Sequence, residues 1–345
     1  MTEPAPPPSS SPVTAASSVA RASSPGLASS SRSGALDRMG LGLGLGAYLV
    51  WGLFPILMHA LEPASAVEIT AQRVLWSVAV CLVLVTAVRG WGRLRAALTD
   101  LRTLGTLALA AALIVTNWLT YVFSVVTDRV AHASLGYYIN PLVLVALGVL
   151  VLGERLRRLQ IVAVLIATVA VVVIGVELGG LPWISLVLAF SFGLYGLIKK
   201  RVSVDPITGL TVETLVLAPF AAAAVWWMSA HGEATFGVRG SSGLGLSHDL
   251  LLASTGVFTV GALLLFSGAA QRLPLNVVGL LQYIAPTIMF MLAVWVFGEE
   301  MSAGRWVGFV LVWIALVVLT VDSVRASRSS RRDPREVEVE AGEPV

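Results

Sequence analysis

Buried polar residues in otherwise apolar stretches are the residues here whose types could do chemistry. Glu68 and Arg73 stand in one such stretch, and Glu213 in another at an offset of 145 residues from Glu68. Asn117, Tyr121 and Ser124 recur at i, i+4 and i+7, a polar stripe on one helix face with Trp118 beside it. Tyr137, Asn140 and Pro141 form a third group, and Gln282, Tyr283 and Pro286 a fourth. None of these spacings is a catalytic or metal-binding signature. They are instead hydrogen-bonding groups, one fixed cation and two carboxylates, the equipment of a binding site for a small polar or anionic molecule. Inside a bilayer each would cost a few kcal/mol unless paired or hydrated.

The elements that must carry these residues follow from composition. The 345-residue chain is 57% hydrophobic and 12% charged, with a mean hydropathy of +0.85. Several stretches exceed the roughly 18 apolar residues that a crossing needs. The expected fold class is therefore all-α and polytopic, with ten spans near 40–60, 66–88, 104–126, 132–152, 158–176, 181–198, 208–229, 249–269, 275–297 and 304–322. Residues 1–38, rich in Ser, Ala and Pro, read as a disordered cytoplasmic tail, and 324–345 as another. An Ala64-Ser65-Ala66 cleavage site is the rival reading of the N-terminal region, but a full span precedes it.

Charge gives orientation. Loops that would face the cytoplasm hold Arg89, Arg93, Arg95, Arg102, Arg155, Arg157, Arg158, Lys199, Lys200, Arg201 and Arg272, against only Arg129, Arg239 and Arg305 outside. Both termini are expected in the cytoplasm. The basic balance is thus topology, not nucleic-acid binding. Cys81 is the single cysteine, so disulfides and thiolate metal sites drop out. No metal or cofactor is expected. Phosphate-loop, HExxH and GxSxG motifs are missing, which argues against an enzyme.

The stretch Leu135–Glu154 returns as Leu280–Glu299 without a gap: Tyr138, Pro141 and Glu154 align with Tyr283, Pro286 and Glu299. The chain reads as duplicated, with five-helix repeats at 39–177 and 178–323. Since five is odd, the repeats run in opposite directions through the membrane. Inverted repeats of this kind belong to carriers that alternate access around a midplane site, with discontinuous helices at the repeat interface. Pro141 and Pro286 are expected to break or kink their helices there. Glu68 and Glu213, one near each membrane face, are candidates for coupling or gating, set against the plainer roles of interface anchor and helix-start acid. Glu154 and Glu299 read as caps of helix starts, His132 as a solvated end residue, the Gly40–Gly46 series as close helix packing, and Lys199–Arg201 as orientation and anionic-lipid contact.

Over about 40–324 the sequence resembles the RarD-like members of the EamA branch of the drug/metabolite transporter superfamily. The resemblance rests on Trp51-Gly-Leu-Phe-Pro55, Glu68-Ile with Arg73-Val-Leu-Trp76-Ser, Asn117-Trp118-Leu and Ala133-Ser-Leu-Gly-Tyr-Tyr-Ile-Asn-Pro-Leu142. It continues through Leu188-Ala-Phe-Ser-Phe192, Tyr195-Gly-Leu, Glu213-Thr and Gln282-Tyr-Ile-Ala-Pro-Thr287. It implies a ten-helix, five-plus-five permease. Two positions depart from the family pattern: Gln72 replaces a histidine before the arginine, and His132 replaces an acid.

The expected function is a cytoplasmic-membrane secondary transporter that exports a small metabolite or drug-like solute. Its site would be lined by Arg73, Asn117, Trp118, Tyr121, Tyr137, Asn140, Gln282 and Tyr283. A non-transporting membrane sensor or assembly protein is the alternative from another class, and a lipid flippase on the same fold is a third. The partners are then a solute and the bilayer; the sequence leaves monomer and homodimer both open.

Overall fold

The computed structural model describes residues 37–152, 158–177, 180–237, 245–270, 272–273, 277 and 281–330. Residues 1–36 and 331–345 of the expected tails, Glu154 and Arg239 lie outside the described residues, whereas 324–330, expected in the disordered C-terminal tail, continue the last helix. The regular elements of the described chain are helices: α1 Arg38–His59, α2 Ala66–Ala87, α3 Trp91–Thr99, α4 Leu101–Val126, α5 Val130–Leu152, α6 Arg158–Glu177, α7 Trp183–Arg201, α8 Pro206–Ala230, α9 Leu246–Ala270, α10 Ile284–Met291 and α11 Ala303–Ser330. Among the described residues seven helices are long and apolar enough to cross a membrane, namely α1, α2, α4, α6, α8, α9 and α11. The 23-residue α5 is also apolar, and Trp183–Lys199 and Ile284–Val296 are shorter apolar helices.

Polar caps fix where the long helices begin. Asp37, Ser65, Asp100 and Asp205 each accept a hydrogen bond from a backbone N–H of the turn that follows, satisfying donors that have no intrahelical partner. Pro206 then occupies the first position of α8, where its missing N–H costs nothing. The sequence reading gave a plain loop after the second span. The structure has the nine-residue α3 there, which buries Leu94 and Ala97 against Val85, Leu107 and Val212 and leaves Arg93 and Arg95 exposed.

Helices pack in matched sets. The pair α1–α9 has a counterpart in α4–α7, α1–α10 in α5–α7, and α2–α9 in α4–α8, while α2–α8, α5–α10 and α6–α11 pair across the bundle. Two seams depend on glycine. A Cβ on Gly256 of α9 would lie 2.5 Å from the Trp76 backbone on α2, and one on Gly136 of α5 would lie 2.8 Å from the Ser185 carbonyl on α7. The outer surface is apolar: Ile161, Leu165, Val169, Val172 and Val176 form an exposed stripe along α6, which suits lipid as solvent.

Candidate solute-binding site

Arg73 is a cation that this packing buries in mid-helix. It is 3% exposed, one turn from Thr70 and Ser77 on the same face of α2. Its Nε donates to Thr259 Oγ1 of α9 at 2.7 Å. The guanidinium carbon lies 4.3 Å from the ring centre of Trp118 and 5.2 Å from that of Phe54. Two aromatic faces thus replace part of the lost hydration, an attraction worth about 2 kcal/mol when desolvated. Nη1 has no hydrogen-bond partner among the described residues, nor have Thr70 Oγ1 and Ser77 Oγ on the same face.

The polar stripe of α4 faces α5 and α7. Asn117 Nδ2 donates to the Leu188 carbonyl at 3.0 Å and to Ser191 Oγ at 3.1 Å, and its Oδ1 accepts from the Tyr137 hydroxyl at 3.2 Å. The rings of Tyr121 and Tyr137 are 6.1 Å apart, and Phe192 meets Tyr137 edge-on. Tyr121 Oη and Asn140 Oδ1 are buried without partners among the described residues. Ser124 completes the stripe in sequence only; its hydroxyl donates to the Tyr121 carbonyl of its own helix. Arg73, Asn117, Trp118, Tyr121 and Tyr137 therefore come together, with Asn140 one turn along α5. Phe54, Thr259 and Ser191 belong with them and escaped the sequence reading. Thr259 is 186 residues from Arg73, and no local pattern links the two.

Tyr283 goes elsewhere. With Tyr138, Thr287, Trp313, Leu316 and Thr320 it lines a separate groove of about 420 Å³ between α5, α10 and α11. The alignment already held this signal, since Tyr283 is the repeat mate of Tyr138 and Gln282 that of Tyr137. Gln282 is half-buried in the turn before α10. The expected helix breaks also differ. Pro286 stands near the start of α10, after a turn at 282–283, whereas α5 runs on through Pro141. The Ser134 hydroxyl joins the two helices by donating to the Pro286 carbonyl at 2.7 Å.

Both gating candidates are buried and occupied. Glu68 accepts from the N–H groups of Thr235 and Phe236 at 2.7 and 2.9 Å and from the Thr235 hydroxyl. Glu213 pairs with Lys199 Nζ at 2.6 Å and accepts from the Tyr195 hydroxyl at 3.1 Å. Glu299 does cap a helix start, though not that of the helix following it: it accepts from Val130 N–H and, at 3.1 Å, from Ala131 N–H of α5. His132 lines a cavity of about 420 Å³ beside it, with Asp128, Arg129, Glu300 and Arg305. No group of three His, Cys, Asp or Glu side chains converges on a metal position among the described residues.

Helices of membrane-crossing length around a cluster of buried polar groups define a multi-pass membrane protein. Comparison with known proteins makes the class specific. The EamA-like transporter family matches residues 38–176 and again 179–321, and the chain belongs to that family. The Streptomyces exfoliatus protein named Protein RarD is 51% identical over 295 residues, covering 86% of this chain and 92% of that one. The Bacillus subtilis protein named Uncharacterized transporter YojE is 42% identical over 289 residues, or 83% of this chain and 94% of that one. A solved crystal structure at 20% identity covers 85% of this chain and 99% of its own, with a TM-score of 0.53, a likeness of fold.

Proposed function

We propose that this chain is a cytoplasmic-membrane secondary transporter that exports a small solute by alternating access between two inverted five-helix repeats, 39–177 and 178–323, with both termini in the cytoplasm. The observation that carries the reading is the set of buried polar atoms around Arg73 without partners among the described residues: its own Nη1, Thr70 Oγ1, Ser77 Oγ, Tyr121 Oη and Asn140 Oδ1. Buried polar groups are nearly always satisfied, so a cluster of unsatisfied ones in a membrane bundle suits water that a solute displaces. The matched helix pairs support the twofold arrangement.

In this reading Arg73 receives an anionic group of the solute. Tyr121 donates beside it, Asn140 Oδ1 accepts, and Trp118 and Tyr137 enclose the apolar part. Tyr283 belongs to the neighbouring groove, and Gln282 to the turn before α10, rather than to this first contact set. Glu68 and Glu213 gate the two ends. The test is solute flux in proteoliposomes: Arg73→Ala and Asn140→Ala should each lower it at least about tenfold. Wild-type flux in both would remove the site. A lipid-translocating reading draws on the groove at Tyr138 and Tyr283; lipid scrambling that survives Arg73→Ala and fails in Tyr283→Ala would favour it.

A further inference from the structure

Glu68 and Glu299 make the same unusual kind of contact in opposite directions. Each carboxylate lies buried or half-buried and accepts from two successive backbone N–H groups far along the chain. Glu68, in the first family-matched segment, holds Thr235 and Phe236 in the second; Glu299, in the second, holds Val130 and Ala131 in the first. Among the described residues neither pair of donors has another acceptor. Val130 and Ala131 open α5, where the first N–H groups have no intrahelical acceptor and the helix dipole favours an anion. Thr235 and Phe236 follow the end of α8 in non-helical chain.

Both contacts sit on one face of the bundle. Glu68 begins α2 just after α1 has ended, and the ring of His59, the last residue of α1, packs 5.0 Å from the ring of Phe297, two residues before Glu299. Local backbone geometry aims Glu299. The last turns of α10 widen into a π-helical segment at Leu292–Val296, Gly298 turns the chain at φ +67°, and Glu299 N–H bonds back to the Ala293 carbonyl at 2.9 Å. Among the described residues the opposite face is held by ion pairs. There Asp205 meets Arg93 at 3.5 Å and Asp37 meets Arg272 at 3.9 Å, and the arginines are well exposed, so these pairs contribute little. Glu213, the repeat counterpart of Glu68, is engaged by Lys199 and Tyr195 of its own segment.

We infer that Glu68 and Glu299 are reciprocal clamps that shut one face of the transporter, and that this structure is the state closed on that face. The inference rests on the alternating-access reading. Opening the face must draw both carboxylates off their amides, so either clamp, once removed, shifts the population toward the open state. An acceptor oxygen rather than charge alone is what the amides need, and glutamine at 299 retains one.

The test uses the full-length chain in nanodiscs on a Cys81→Ala background, with one reporter cysteine read by a bulky water-soluble maleimide. Ala133→Cys reports the clamped face, since Ala133 is fully buried in the first turns of α5; Val212→Cys, also fully buried, reports the other end. Removing both clamps by Glu68→Ala with Glu299→Ala should raise labelling at 133 by tenfold or more, at roughly tenfold per charge-assisted clamp, without raising it at 212. Val130→Pro withdraws one donor at a position where proline suits a helix start and should raise labelling several-fold; Glu299→Gln should stay near the parent. Unchanged labelling at 133 in the double variant and in Val130→Pro, or an equal rise at both reporters, overturns the clamp. The readout needs no solute. Normal flux with unchanged labelling sinks the clamp alone, and expected labelling in a chain without flux sinks the transport reading alone.

Discussion

Tyr137 and Tyr138 are consecutive on α5, yet their hydroxyls bind different parts of the bundle. Tyr137 donates to Asn117 Oδ1 on α4 at 3.2 Å, and Tyr138 shares a 2.7 Å hydrogen bond with Thr287 on α10. At about 100° per residue, one helix thereby serves two neighbours: the Arg73 cluster on one side and the α10–α11 groove on the other. Asn117 is the hub of the first side, because its amide also holds the Leu188 carbonyl and Ser191 on α7.

That hub sets an order of severity. Tyr137→Phe leaves one buried acceptor unsatisfied and should cost about 1–3 kcal/mol. Asn117→Leu removes the amide from the Leu188 carbonyl and from Ser191, which keep only their bond to each other, and also strands the Tyr137 hydroxyl, so it should cost more. Thermal denaturation in detergent should rank the midpoints wild type, Tyr137→Phe, Asn117→Leu. Equal midpoints for the two variants would show that Asn117 is not the hub.

Arg73 separates function from stability. A buried charge that has one hydrogen bond, two ring faces and an unpartnered Nη1 among the described residues is costly to keep, and a hydrophobic side chain of similar length is often neutral or stabilising at such a site. Arg73→Met should therefore melt at or above the wild-type temperature while solute flux falls at least about tenfold. Arg73→Lys, which lacks the planar fork that stacks on Trp118, should lower flux as well. A large loss of stability in Arg73→Met would make the arginine a structural residue.

How much of this was legible follows the range of each interaction. The stripe of Asn117 and Tyr121 is a pattern within one helix, and the pairing of Tyr138 with Tyr283 is a pattern between repeats, so both can be read from residue spacing. The partners of Arg73 and Glu68 are 186 and 167 residues away, and the hydrogen bonds that attach them leave no periodic trace. Glu299 shows the difference most plainly. Its chemistry as a helix cap was readable, but a local rule assigns a cap to the nearest helix, and the tertiary fold brings α5 to it instead. The short α3 was missed because nine residues containing two arginines look like a loop until Leu94 and Ala97 find a surface to bury against.

Gly256 tests the seam that carries Thr259 to Arg73. A Cβ there would come within 2.5 Å of the Trp76 carbonyl carbon and 2.6 Å of Ser77 N, backbone atoms that cannot rotate away. Gly256→Ala should force α2 and α9 apart and cost at least about 2 kcal/mol. Gly42→Ala is the internal control: a Cβ at 42 meets nothing within 4 Å on α1, so the change should be neutral or stabilise by up to about 1 kcal/mol through helix propensity. Melting curves of the two variants decide it, and similar midpoints would mean that the α2–α9 contact is looser than described.

Glu299, in the connection between α10 and α11 and outside the spans, makes stability depend on pH. Burial pushes its carboxyl up from 4.5 to about 7, against the lowering effect of the Ala131 and Val130 amides. Asp128 adds to the rise and Arg305 opposes it. Arg129 and His132 face the same cavity from the start of α5, Glu300 from the connection itself, and Glu177, at the end of α6, lies against Gly304. Between about pH 4.5 and 7 the folded chain thus holds a proton that the unfolded chain releases. Its stabilising contribution is complete below about pH 4.5 and is lost as pH rises through about 7. Melting temperature should accordingly fall over that window in the wild type relative to Glu299→Gln, which keeps an acceptor for α5 but cannot titrate, and the two curves should run parallel above about pH 8. His132 and the other ionisable groups are common to both proteins, so the difference between the curves isolates the one carboxyl. Identical pH profiles would mean that Glu299 titrates alike in the folded and unfolded chain, with the two amides offsetting burial.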